Sequence, residues 1–181
     1  MDKVKSILEI KLIPDTIGEA GVEKDLRVEP EIMMEMLGDK DLRVEKPFHI
    51  HYEVNRHHEN IHVNVDVKGR FKTTCSRCLS PMEYPADLHL ESDYMPAPPE
   101  MSDNLEAERL SAETGYFRKE IQLGEYIISE LVLSLPIFYT CSEDCKGLCQ
   151  QCGANLNDGP CSCATAADPR LQVLSQLKNK L

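Results

Sequence analysis

Eight cysteines stand in short-spaced pairs along the 181 residues: Cys75-x2-Cys78, Cys141-x3-Cys145, Cys149-x2-Cys152 and Cys161-x-Cys163. The last six fall within CSEDCKGLCQQCGANLNDGPCSC. Two thiolates two residues apart can reach one ion from a tight turn. Gly153 permits the positive φ that lets backbone N–H groups turn back onto the sulfurs. CSRC, at Cys75–Cys78, offers the same geometry. Short spacing within pairs and long spacing between them is the pattern of structural zinc held by four sulfurs. Eight thiols suffice for two such sites, so one or two zinc ions are expected. One division groups Cys149, Cys152, Cys161 and Cys163, leaving Cys75, Cys78, Cys141 and Cys145 as the second site. Another takes Cys141, Cys145, Cys149 and Cys152 together. The first satisfies all eight thiols and is preferred.

Other uses of thiols fit less well. A disulfide framework needs an oxidising compartment. The opening MDKVKSILEIKLIPD has no apolar h-region or small-residue cleavage site, and no run approaches the ~18 apolar residues of a membrane span. A cytoplasmic chain without membrane contact is therefore expected. A thioredoxin-like CxxC opens a helix after a strand, whereas GLCQQCGANLNDG is turn-rich. Iron–sulfur ligation by four cysteines shares the spacing and is the remaining competitor. A site whose four positions are all filled by cysteine leaves no open coordination for catalysis. No carboxylate pair, nucleophile motif or phosphate-cradling glycine loop is visible, so neither an enzyme nor a small-molecule substrate is expected.

The net charge is −11 and sits in the middle of the chain. Residues 82–140 carry 3 basic and 12 acidic side chains, against 13 and 15 in residues 1–81 and 4 and 4 in residues 141–181. Global attraction to nucleic acid is excluded, so any such contact needs a local patch. One exists: Lys68, Arg70, Lys72 and Arg77 lie within ten residues. Asp87, Glu91 and Asp93 on a return strand would pair with the strand cations. Arg77, between two cysteines, escapes that pairing and is the candidate for a phosphate or partner contact. His49 and His51 fall on the polar phase of a strand and read as surface residues.

The elements that would position these groups follow from periodicity. Val4–Ile13 suits a strand ending at Pro14, and PEIMMEMLG a helix bounded by Pro30 and Gly38. Leu42, Val44, Phe48, Ile50, Tyr52 and Val54 share one face of a strand. After the turn NRHHEN, alternation resumes from Ile61 to Phe71, and again from Tyr84 to Tyr94 beyond the CSRC turn. A brief strand in YFRKEIQL leads into a buried helix with Leu123, Ile127, Leu131 and Leu135 at four-residue spacing. Asp168 and Pro169 would start a last helix with Leu171, Leu174, Leu177 and Leu181 as its stripe. The fold class is α+β: an antiparallel β meander or partly open barrel with a few packed helices and a C-terminal cysteine-rich zinc-binding segment. Residues 1–140 would form the mainly antiparallel domain, with a buried helix near 123–135 and an acidic Pro-rich loop at 95–115. Residues 141–181 would form the cysteine-rich segment and the amphipathic helix.

With CSRCL after an alternating strand, a helix ending LSLP, CKGLCQQCGANLN followed by GPCSC, and DPRLQVLSQLK, the chain resembles the bacterial YceD family of large-ribosomal-RNA accumulation proteins. The match runs from Val65 to Lys178 and is loose over the first sixty residues. The resemblance implies a non-catalytic role in accumulation or maturation of 23S ribosomal RNA and in large-subunit assembly. The partner it implies is the rRNA precursor or an assembly protein. The rival class is a zinc-stabilised protein–protein adaptor that does not contact RNA.

Overall fold

The computed structural model describes residues 2–3, 6–38, 41–98 and 114–163. The C-terminal helix from Asp168 and most of the 95–115 loop lie outside the described residues. The chain divides into two compact units: Met1–Thr74 with Pro81–Tyr139, and Cys75–Ser80 with Thr140–Leu181. The chain thus enters the second unit twice, once through the loop that closes a hairpin.

The first unit is a six-stranded mixed sheet in the order β1 to β6: Asp2–Lys3, Val22–Val28, Phe48–His57, Asn60–Thr74, Pro81–Pro96 and Thr114–Phe117. Strands β2 to β5 form an antiparallel meander, while β1 on β2 and β6 on β5 run parallel. The antiparallel meander expected from the sequence is thus β2 to β5, and a parallel pairing extends it at each edge. Among the described residues no pairing joins β6 back to β1, so the sheet is open. Strands β3 and β4 meet at a two-residue turn in which His58 takes φ 60°, a sense that matches strand twist.

Alternation puts Phe48, Ile50, Tyr52 and Val54 of β3 and Ile61, Val63, Val65, Val67 and Phe71 of β4 on the buried face. Among the described residues two helices complete this core, α1 (Pro30–Leu37) through Met33 and α2 (Leu123–Ser134) through Leu123, Ile127 and Leu131. Helix α1 begins on Pro30 and ends at Gly38, as its sequence predicts. Helix α2 buries only one stripe. Val132 is half-exposed, and Leu133, Ile137 and Phe138 are largely exposed.

Two local expectations are overturned, and one strand was not expected. Among its described residues, 6–13, the opening run forms no strand. Ile7–Glu9 and Pro14–Thr16 are 3-10 turns, with only Leu12 bridged to Ile121. Ile7 and Ile10 are both buried at a spacing of three, which a tight helical turn satisfies and a period-two strand does not. The strand foreseen from Leu42 starts at Phe48, because Pro47 has no N–H for the ladder. Strand β2 has no counterpart in the sequence reading, since GluLysAsp occupies its centre and only Leu26 and Val28 are buried.

Candidate metal centres

In the second unit, two loops of unrelated sequence make the same turn. In CSRCLS, Cys75 N–H donates to Ser80 O at 2.9 Å and Leu79 N–H to Cys75 O at 2.9 Å. In CQQCGA, Cys149 N–H donates to Ala154 O at 2.8 Å and Gly153 N–H to Cys149 O at 2.9 Å. Each turn needs a left-handed residue after its second cysteine, Leu79 at φ 58° and Gly153 at φ 72°. Glycine takes that conformation freely, whereas leucine gives up about 1–2 kcal/mol.

The turns gather their thiols into the clusters Cys75/Cys78/Cys141/Cys145 and Cys149/Cys152/Cys161/Cys163. This is the first of the two divisions that the spacing allows. Within each cluster the four sulfurs lie within 4.8 Å of one another. Cys75 and Cys145 sulfurs are 3.8 Å apart, and those of Cys78 and Cys141 3.6 Å. A tetrahedron with metal–sulfur bonds of about 2.3 Å has sulfurs roughly 3.8 Å apart. Both clusters could therefore hold metal ions.

The electrostatics of the thiols fit that use. Burial pushes the Cys75 thiol up, but N–H groups of Cys78, Cys141 and Arg77 turned onto its sulfur bring it down to about 6. Cys149 is held at about 6 by the N–H groups of Cys152 and Gln151 and by the Cys161 thiol, against burial. Cys78 is lowered by the Ser80 hydroxyl and N–H. Conversely Cys141 is pushed up to about 12 by bonding to Cys145 and Cys78, then by burial. Cys163 rises to about 12 through Cys152, burial and Cys149. Each cluster thus has a ready thiolate and a thiol that keeps its proton until a cation offsets the crowding of negative charge.

Metal uptake at neutral pH must displace at least the protons of Cys141 and Cys163. Affinity should therefore fall as pH falls, by about tenfold per pH unit for each proton released. Calorimetric titration in buffers of different ionisation enthalpy will show a buffer-dependent heat. A buffer-independent heat would contradict the assignment of those two thiols.

Support for the first cluster comes from residues that no spacing rule flags. The Asn157 side-chain amide donates to Cys145 Sγ at 3.4 Å, and its Oδ1 accepts from Lys146 N–H at 2.8 Å. The Asn155 amide reaches Ser80 Oγ at 3.4 Å, and Ser80 contacts Cys78 Sγ at 3.4 Å. Such partners orient ligands and tune their basicity. The only sequence trace is the closely spaced asparagine pair after CQQCGA.

Arg77 is less available than the sequence suggests. Its Nη1 donates to the carbonyls of Glu143 at 3.4 Å and Cys145 at 3.2 Å, so the guanidinium braces the loop carrying Cys145. The remaining cations belong to the first unit. Arg70 pairs with Glu83 at 3.3 Å and Lys72 with Glu45 at 2.6 Å, while Lys68 stands opposite Asp87. Glu91 and Asp93, foreseen as their partners, lie instead beside His62.

These features define an α+β protein whose second unit gathers eight thiols into two clusters able to hold metal ions. The chain belongs to the YceD family: the model of the large ribosomal RNA subunit accumulation protein YceD matches residues 63–178, all eight cysteines included. The family name implies a role in accumulation of large-subunit ribosomal RNA. Proteins of Mycobacterium tuberculosis and Mycobacterium bovis described only as uncharacterized are 31% identical over 142 residues, 77% of this chain. The alignment spans 61% of their length. The chloroplastic YCED homolog 1 of Arabidopsis thaliana, a large ribosomal RNA subunit accumulation protein by name, is 42% identical over 45 residues, 25% of this chain and 14% of its own. No solved structure shows a significant match. Among the described residues, no helix is long and apolar enough to cross a membrane.

Proposed function

We propose that this chain is a non-catalytic, zinc-stabilised factor that promotes accumulation or maturation of large-subunit ribosomal RNA in the cytoplasm, by binding precursor rRNA or an assembly protein. The observation that carries this reading is the family match over residues 63–178, which takes in both thiol clusters. Zinc is the ion best suited to four thiolates at tetrahedral spacing. Four sulfurs per ion leave no position for substrate, which supports a binding role.

A protein–protein adaptor is the second reading, favoured by how the cations are used. Arg70 and Lys72 are ion-paired, Arg77 is bonded to two carbonyls, and the chain carries a net charge of −11. Each of these opposes salt-driven RNA binding. Affinity capture from cells with and without nuclease separates the two. An RNA-binding factor loses its ribosomal partners on digestion, and an adaptor keeps them. Capture of no ribosomal component under either condition would overturn both.

A further inference from the structure

We propose that the solvent face of the sheet carries a separate site for a divalent first-row cation, ligated by Glu23 of β2 and by His51 and Glu53 of β3. Glu23 and Glu53 stand directly opposite each other across the β2–β3 ladder, as do Asp25 and His51. Like charges in direct register are unfavourable in an antiparallel pair, and a cation between them removes the cost. The His51 ring lies over this pair, with Nε2 3.4 Å from Glu53 Oε1 and 3.9 Å from Glu23 Oε1. All three ligand atoms fall within 4.8 Å of one another.

Asp25 completes the arrangement. Its Oδ1 is 3.1 Å from His51 Nδ1, so an Nδ1–H donated there leaves the Nε2 lone pair facing the two glutamates. A carboxylate on the far nitrogen of a metal-ligating histidine is the usual orienting partner. One imidazole and two carboxylates suit Mn²⁺, Fe²⁺ or Zn²⁺ with further positions left to water. His62 has the same Asp and Glu contacts, Asp93 at 2.8 Å and Glu91 at 3.3 Å, but among the described residues no second glutamate stands against its Nε2. Glu23 and Glu53 are at least half exposed, so the bound ion would exchange readily.

The probe is Mn²⁺, added to protein whose thiol clusters are already metal-filled. Mn²⁺ prefers oxygen and imidazole donors and does not displace a softer ion from thiolates. Loss of the free Mn²⁺ electron-paramagnetic-resonance signal should report one saturable site per chain, with paramagnetic broadening of NMR signals greatest at His51. Glu23→Gln and Glu53→Gln, both nearly isosteric and solvent-facing, should each weaken binding about tenfold or more, and Asp25→Asn should weaken it while changing the His51 tautomer ratio. Mn²⁺ binding of unchanged strength in both glutamine variants would overturn the site. So would broadening spread over the acidic surface with no maximum at His51.

Discussion

Cys149→Ser should halve the metal content of the protein, from about two ions per chain with both clusters filled to about one, and should release the segment around residues 146–163 from its fold. The cause is that site's all-thiolate closure. Serine supplies no thiolate, three sulfurs cannot close a tetrahedron, and binding free energy on the order of 10–16 kcal/mol for a structural site is also folding free energy. Cys75→Ser should likewise remove about one ion, but from the other cluster, because Cys75 groups with Cys78, Cys141 and Cys145 and with none of the last four thiols. The double variant should retain no stoichiometric metal. Elemental analysis of the purified chains checks the counts, and amide NMR checks which segment is lost. Loss of all metal in either single variant would mean that the eight thiols form one interdependent centre. Stoichiometric iron in place of zinc would change the cofactor.

Gly124→Ala should destabilise the first unit by about 3 kcal/mol, lowering its melting temperature by roughly 10 °C. A Cβ at Gly124 would stand 1.8 Å from the Ile7 carbonyl oxygen and 2.7 Å from its carbon. The obstacle is backbone, so no rotamer change relieves it. Either α2 or the 7–12 segment must withdraw. Withdrawal breaks the bond from Gly124 N–H to Ile10 O and the paired bonds between Leu12 and Ile121, and it uncovers the fully buried Ile7. Metal content should stay at the wild-type level, because both clusters lie in the other unit. A wild-type unfolding midpoint would contradict this packing of the first turn of α2.

The physics of each element decides how far it could be read from residues alone. Strands β3 and β4 were legible because each has one buried face, so every second residue from Phe48 to Val54 and from Ile61 to Val67 is apolar. Strand β2 was not, because three charged residues fill its centre and its place is set by pairing with β3. The parallel pairing of β1 and β6 depends on where a connection returns the chain, which local periodicity does not encode. The opening segment misled for a related reason: Ile7 and Ile10 are buried in the core with α2 and the sheet, but at a 3-10 turn and its cap, while Ile13 is half exposed. The cysteine pairs were legible because a tight turn needs two thiols a fixed distance apart in sequence. Their division was legible only through the count: spacing alone permits two groupings, and the preferred one that uses all eight thiols is the one the clusters show. Asn155 and Asn157 were invisible because their role is a contact across folded loops. The YceD resemblance, argued from motifs between Val65 and Lys178, coincides with the family match at residues 63–178. The bonding of Arg77 also alters its mutational meaning: Arg77→Glu would both reverse a charge and unbrace the loop of Cys145.

If a chain with two thiol clusters supports accumulation of large-subunit ribosomal RNA, as proposed above, its loss must show in the rRNA itself. The most direct test is to quantify mature large- and small-subunit rRNA in cells lacking this protein, complemented with wild type, Cys75→Ser or Cys149→Ser. The deletion should lower large-subunit rRNA relative to small-subunit rRNA. Wild type should restore the ratio, and neither cysteine variant should do so at matched protein level. Equal ratios in deletion and wild-type cells would contradict the ribosomal role, and full rescue by both cysteine variants would contradict its dependence on the metal centres.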